Sequence, residues 1–206
     1  MKIILAGGFL GSGKTTFIRQ LAEFLIKREG KKVVIIENEA GEVSIDDKLL
    51  SQEGFQVKEI FGGCICCQLT SELTVALSQI KEQFNPGWII IEPTGLAKIT
   101  PVLDTLKKYG KGFESVYTIV LVDAERWWEL SEIMPDFVFA QVAAADLVLV
   151  NKIDQISGED LKRIVSKVKE NNPNARCESI SALNGVDDKL LRGLCQSESS
   201  CTPSKT

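Results

Sequence analysis

Two groups of residues in this chain have the types and spacing to do chemistry. In Gly8-Phe9-Leu10-Gly11-Ser12-Gly13-Lys14-Thr15, glycines, a lysine and a hydroxyl stand at the spacing of a phosphate-binding loop. Glycine lets the backbone curl so that successive N–H groups, those of Gly11, Ser12 and Gly13, point at phosphate oxygens, and a helix N-terminus adds partial positive charge. Lys14 is expected to reach the β- and γ-phosphates, the Thr15 hydroxyl to ligate Mg²⁺, and Thr16 to help hold the α-phosphate. The plain alternative is a glycine turn joining a strand to a helix.

The second group is Gly62-Gly63-Cys64-Ile65-Cys66-Cys67. On an extended stretch Cys64 and Cys66 share a side and could both face one ion, with Cys67 swinging in from the next turn. Thiolate with carboxylate suits Zn²⁺ best, with Co²⁺ and Ni²⁺ as alternatives. Buried structural cysteines and a redox pair are the competing readings. The chain has six cysteines and no histidine, so any transition-metal site must draw on sulfur and carboxylate.

Further motifs complete a nucleotide site. Asn151-Lys152-Ile153-Asp154 is suited to reading a base. The Asp154 carboxylate can accept hydrogen bonds from guanine N1–H and the 2-amino group; adenine lacks that pair and would leave it unsatisfied. Asn151 is expected to tie this segment to the phosphate loop, and the Lys152 stem to pack on the base plane. In Ser181-Ala182-Leu183 the Ala182 N–H is expected to meet guanine O6. GTP and GDP are the expected ligands, with an ATP-driven enzyme of the same fold as the alternative.

The apolar run Ile89-Ile90-Ile91 ends in Glu92-Pro93-Thr94-Gly95. Glu92 is expected to hold Mg²⁺ or orient the attacking water, and Gly95 to donate its N–H to the γ-phosphate. The acidic loop Glu37-Asn38-Glu39-Ala40-Gly41-Glu42, with Asp46-Asp47 beyond, reads either as a solvated surface or as a γ-phosphate switch in which Glu37 or Glu42 reaches a second metal. Asp46 is the candidate for Mg²⁺ contact or water positioning. Lys14, Glu92 and Asp46 form the expected catalytic set.

These residues need a scaffold, and hydrophobic periodicity supplies one. Strands are expected at Lys2–Ala6, Lys32–Ile36, Trp88–Ile91, Val116–Val122, Leu147–Val150 and Glu178–Ile180. Helices are expected over Thr15–Arg28, from Leu69 through Ile80, from Thr100 to Tyr109, through Ala140–Ala145, and around Leu161, Ile164, Val165 and Val168. Alternating strands and helices give an α/β domain, a three-layer phosphate-loop fold with a mainly parallel sheet. Residues 1–195 read as that domain and 196–206 as a disordered tail.

At 206 residues the chain is long enough for one substantial core. A net charge of −4 argues against nucleic acid as a partner. The apolar runs are too short to span a membrane, and residues 1–7 read as a first strand and not a signal peptide, so a cytoplasmic location is expected.

With these residues in hand, the chain resembles the CobW family of GTPases, relatives of the HypB and UreG nickel chaperones. The resemblance covers nearly all of residues 1–190 and rests on Gly8–Thr16, the 37–42 acidic motif, Gly63-Cys64-Ile65-Cys66-Cys67, Glu92-Pro93-Thr94-Gly95-Leu96-Ala97 and Asn151–Asp154. It implies slow GTP hydrolysis, a metal site drawn from Cys64, Cys66, Cys67, Glu37 and Glu42, delivery of that metal to a target protein or cofactor pathway, and a GTP-dependent homodimer. The chain departs from the pattern in having Ala40 where the family usually has Phe. Such proteins also usually continue into a C-terminal β-containing domain and a histidine-rich stretch, so cargo storage and docking are expected to be reduced or supplied by another protein. The alternative function is a regulatory GTPase module with structural cysteines that controls a partner such as a corrinoid- or methyltransferase-related enzyme.

Overall fold

The computed structural model describes residues 1–37, 56–59, 65–109 and 112–196, with 56–59, 65–72 and 109 described as backbone only. Seven strands form one sheet in the order β3-β2-β4-β1-β5-β6-β7, every neighbouring pair parallel. They are β1 (Lys2–Gly8), β2 (Val33–Glu37), β3 (Gln56–Glu59), β4 (Trp88–Glu92), β5 (Ser115–Asp123), β6 (Leu147–Asn151) and β7 (Arg176–Ser179). The central strands are continuous apolar runs because helices cover both faces of the sheet.

Alternate residues of each strand feed two separate cores. Ile4, Ala6, Ile35, Ile90, Ile119, Leu121 and Leu149 pack under α1 (Lys14–Lys27) and α7 (Asp188–Gln196). Ile3, Leu5, Ile36, Ile89, Ile91, Val120 and Val150 pack on the opposite side. That side carries α2 (Ile65–Phe84), α3 (Ile99–Tyr109), α4 (Trp127–Ile133), α5 (Pro135–Ala143) and α6 (Gly158–Asn171). The expected three-layer α/β fold is therefore the observed one.

Local signals explain the better-defined helix ends. Ser157 caps α6, its Oγ accepting the Asp160 N–H at 3.1 Å, and Pro135 sits in the first turn of α5, where a missing N–H costs nothing. Four elements differ from the periodicity. β3 is a four-residue edge strand, Gln-Val-Lys-Glu, without an apolar run. α4 has no side-chain cap, and α7 is a nine-residue helix buried through Leu190, Leu191 and Leu194. The last strand is Arg176–Ser179 in place of Glu178–Ile180; Ile180 directly follows it, still donating its N–H to the Val150 carbonyl at 2.9 Å, and is buried in the core with Leu190, Leu191 and Leu194.

The expected tail begins inside an element, since α7 runs to Gln196; residues 197–206 lie outside the described residues. Among the described residues no helix is long and apolar enough to cross a membrane. β1 lies between β4 and β5, so the chain leaves it toward opposite sides of the sheet. The crevice at such a switch point, at the carboxyl ends of the strands, is where α/β sheets hold ligands.

Candidate nucleotide-binding site

The loop between β1 and α1 occupies that crevice. Gly8, Gly11 and Gly13 have φ of 135°, 76° and 93°, which side-chain-bearing residues rarely adopt. Space adds a second demand at two of them: a Cβ on Gly8 would strike the Leu121 carbonyl oxygen, and one on Gly13 the Asn151 amide nitrogen. Gly13 directly precedes α1, so the helix opens on left-handed backbone without a side-chain cap, its first N–H groups turned toward the crevice.

Leu10, Gly11, Gly13, Lys14, Thr15 and Thr16 face Glu92, Pro93, Thr94 and Gly95 across a cleft of about 300 Å³. Lys14 and Glu92 are buried beside it. Lys14 Nζ donates to the Phe9 carbonyl at 3.2 Å and lies 3.9 Å from Glu92 Oε1. The Thr15 hydroxyl donates to the Glu92 carboxylate, 3.2 Å from Oε1 and 3.4 Å from Oε2. Gly95 approaches Leu10 so closely that a Cβ there would come within 2.7 Å of the Leu10 backbone. Thus the sheet brings together Lys14, Thr15, Glu92 and Gly95, residues up to 81 apart in sequence.

A second cluster adjoins the first at the end of β6. Asn151 is buried and uses both ends of its amide: Nδ2 donates to the Ser12 carbonyl at 2.8 Å, and Oδ1 accepts the Ala182 N–H at 2.8 Å. The expected tie to the phosphate loop is present. The expected role of Ala182 needs correction, because its N–H is engaged by Asn151 and is not presented to the crevice for guanine O6. Gln20, which the sequence reading missed, braces the same loop from α1. Its Nε2 donates to the Ala182 carbonyl at 2.6 Å and its Oε1 accepts the Val186 N–H at 2.8 Å. Nothing in local sequence marks this glutamine; its partners lie more than 160 residues away.

Asp154 is exposed on a short 3₁₀ turn, Ile153–Gln155. The neighbouring Ser181 hydroxyl, then the Gln155 amide at 2.5 Å, hold its carboxyl below the usual aspartate value. Ser181 Oγ itself is buried. The Lys152 ammonium has a partner that the sequence reading did not foresee, the buried Asp123, 2.7 Å away. On the other flank, the buried Gln141 of α5 donates to the Ala97 carbonyl at 3.0 Å and so braces the turn after Gly95.

The metal candidates are only partly placed. Glu37 ends β2 directly in register with Glu92 on one side and with Glu59 of β3 on the other. Glu42, Asp46 and Cys64 lie outside the described residues. Cys66 and Cys67 are the second and third residues of α2. The extended-backbone argument for them therefore fails: the helix begins four residues before Leu69, and consecutive helical positions do not alternate across a strand. β3 runs parallel, so its end and the start of α2 six residues later lie toward the same carboxyl edge as the phosphate loop.

Known proteins resemble this chain in sequence and fold. Residues 2–178 match the model of the CobW/HypB/UreG nucleotide-binding domain. The zinc chaperone YjiA of Escherichia coli is 37% identical over 167 residues, covering 76% of this chain and 50% of that protein. The crystal structure of Zn(II)-bound YjiA GTPase from E. coli superposes with a TM-score of 0.65 at 26% identity, covering 93% of this chain and 60% of that one. HypB from Archaeoglobus fulgidus superposes with a TM-score of 0.64 at 21% identity, covering 94% and 90%, and shares the fold. The chain spans about half the length of the curated relatives it matches. A match over most of the chain, with the phosphate loop on a parallel sheet, makes this protein a member of the CobW/HypB/UreG nucleotide-binding family.

Proposed function

We propose that this domain binds GTP and hydrolyses it slowly, as a metallochaperone-type switch that takes a transition metal as cargo and hands it to a recipient protein or cofactor pathway. The observation that carries the nucleotide half is the joined pair of clusters: Thr15 and Glu92 in contact beside the phosphate loop, and Asn151 bonding that loop to the base-side loop at Ala182. Gly11, Ser12, Gly13, Lys14, Thr15 and Thr16 hold the phosphates and Gly95 meets the terminal one. Asn151, Lys152, Asp154, Ser181 and Ala182 form the base side, Ala182 through its bond to Asn151.

A hydroxyl and a carboxylate within 3.2 Å are hard oxygen donors, which fits Mg²⁺. Thr15 and Glu92 would hold it, with Asp46 as a further contact, and it would supply charge neutralisation at the β- and γ-phosphate oxygens. Lys14 contributes a fixed positive charge on the same oxygens. No arginine stands at the phosphate side of the cleft among the described residues, which supports slow turnover, of the order of 10⁻⁴ to 10⁻² s⁻¹ unassisted.

The cargo is assigned to Cys64, Cys66 and Cys67 with Glu37 and Glu42. Two observations support this: Cys66 and Cys67 begin α2 at the same sheet edge as Glu37, and relatives carry the name zinc chaperone. Zn²⁺ is the preferred ion, with Co²⁺ and Ni²⁺ as alternatives. GTP and cargo must then tighten each other's binding by the same factor.

The test is a titration with Zn²⁺, Co²⁺ and Ni²⁺, with and without GTP, on the native chain and on a triple Cys64→Ser, Cys66→Ser, Cys67→Ser variant. The native chain should bind Zn²⁺ at least about 100-fold more tightly than the variant. Equal affinities would remove the cysteine site and leave a nucleotide switch whose partner is not a metal recipient. The GTP-dependent homodimer is part of the same proposal and is read in parallel by light scattering.

A further inference from the structure

Lys152 is the least relaxed residue of the base-side segment. Its backbone lies in the left-handed region, φ 64° and ψ 35°, where a side chain crowds its own carbonyl. Among the described residues the only other non-glycine residue with positive φ is Asn85, and asparagine tolerates that region far better. Backbone bonds hold the turn in part, Gln155 N–H to the Lys152 carbonyl at 3.0 Å and Ile153 N–H to the Ile180 carbonyl at 3.4 Å, and the Lys152 side chain adds its ion pair with Asp123.

Asp123 ends β5 in register with Asn151 of β6, and the strands close on each other through Ala124 N–H to the Asn151 carbonyl at 2.9 Å. Its side chain is 1% exposed. One carboxylate oxygen accepts the Lys152 ammonium at 2.7 Å; the other accepts the N–H groups of Glu125 at 3.1 Å and Arg126 at 3.3 Å. A buried carboxylate with three donors is fixed in both position and orientation. The Lys152 side chain is 31% exposed, so its charge is tethered at the buried end while part of it remains open. Beyond Asp123 the same turn places the Arg126 guanidinium over the ring of Phe9 in the phosphate loop, 5.5 Å from its centroid.

We propose that Asp123 is a positioning residue for base recognition. By tethering the Lys152 ammonium it holds that residue in its left-handed conformation between β6 and the 3₁₀ turn, and leaves the lysine stem, not its charge, as the platform on which the purine stacks. The proposal rests on the reading of 151–154 as the base-side segment. It adds a residue 28 positions before Asn151 to the determinants of guanine nucleotide affinity.

The experiment measures the affinity for fluorescently labelled GDP of native protein and of Asp123→Asn, Lys152→Met, Lys152→Arg and the Asp123→Asn/Lys152→Met double variant, with thermal unfolding of each alongside. Methionine keeps an unbranched apolar stem but cannot be tethered, whereas arginine can. Asp123→Asn and Lys152→Met should each weaken GDP binding roughly tenfold, and the double variant should be no weaker than either single one. Lys152→Arg should stay within about threefold of native.

Native affinity in Lys152→Met overturns the proposal. So does an Asp123→Asn loss that adds in full to that of Lys152→Met, because the carboxylate would then act only through the Glu125–Arg126 turn. If Asp123→Asn does not fold, the contrast between Lys152→Met and Lys152→Arg decides alone. An Asp154→Asn arm reads the base-side assignment separately: unchanged preference for GDP over xanthosine diphosphate there refutes that assignment, whatever Asp123 does.

Discussion

The two ends of the crevice are built on opposite plans. At the base end the polar side chains are already engaged with the scaffold. Asn151 bonds to Ser12 and Ala182, Gln20 to Ala182 and Val186, and Lys152 to Asp123. Folding has therefore already met the cost of ordering that end, and a base arrives at a set surface. At the phosphate end, Lys14 and Thr15 spend their donors on the Phe9 carbonyl and the Glu92 carboxylate. A triphosphate with Mg²⁺ must exchange those contacts for its own. Affinity there is a difference between two sets of charge-assisted bonds, and such a difference is sensitive to whether a γ-phosphate is present. In the proposed function, one end recognises and the other registers a change.

The largest expected effect strikes the exchange end. Lys14→Ala should weaken GTP binding by more than about 100-fold, since no other cation lines that cleft among the described residues. Equilibrium dialysis showing tight binding retained would remove the phosphate-loop assignment. Asp154→Asn strikes the recognising end and should leave phosphate binding intact while shifting preference from guanosine toward xanthosine nucleotides by roughly 30-fold or more. Competition between GTP and xanthosine triphosphate checks this, and a parallel loss of both would mean the two ends are not separable.

The smallest effect concerns pH. Asp154 titrates below its ordinary 3.8, chiefly because of Ser181. A depressed carboxyl pKa makes the ionised form the favoured one, so its contribution is complete above 3.8 and is lost only as pH falls through the lower folded value. GDP affinity should therefore stay flat from pH 8 to about 5 by calorimetry. A decline centred near pH 6 would place a different group at the base.

Much of this was legible in the sequence because it is local. The phosphate loop, the apolar strands and the acid at the end of β4 each announce themselves within a few residues, and a parallel sheet then forces them to one edge. What was not legible depends on contacts across the fold. Gln20 looks like any polar position on an amphipathic helix, and Asp123 like the end of any strand. Only the pairing of β5 with β6 reveals that its carboxylate lies against Lys152. β3 escaped notice because an edge strand of four residues alternates polar and apolar over too short a span. The cysteines were misplaced for a different reason. The apolar periodicity placed the helix after the cysteines, from Leu69, yet α2 starts at Ile65 and carries Cys66 and Cys67 into helical geometry.

The strand order has a consequence for how the protein is made. β1 is flanked by β4 and β5, so the strand that carries the phosphate loop has no hydrogen-bonded neighbour until synthesis has passed residue 88, and lacks its second until 115. The base side is later still, because Asn151 must wait for Ala182. A chain emerging from a ribosome, at roughly 5–20 residues per second, would thus spend about 10–30 seconds with its phosphate loop synthesised but the site not assembled. Guanine nucleotide capture by a stalled nascent chain should switch on only once residue 186 has cleared the exit tunnel, which makes the ligand itself a reporter of completed folding.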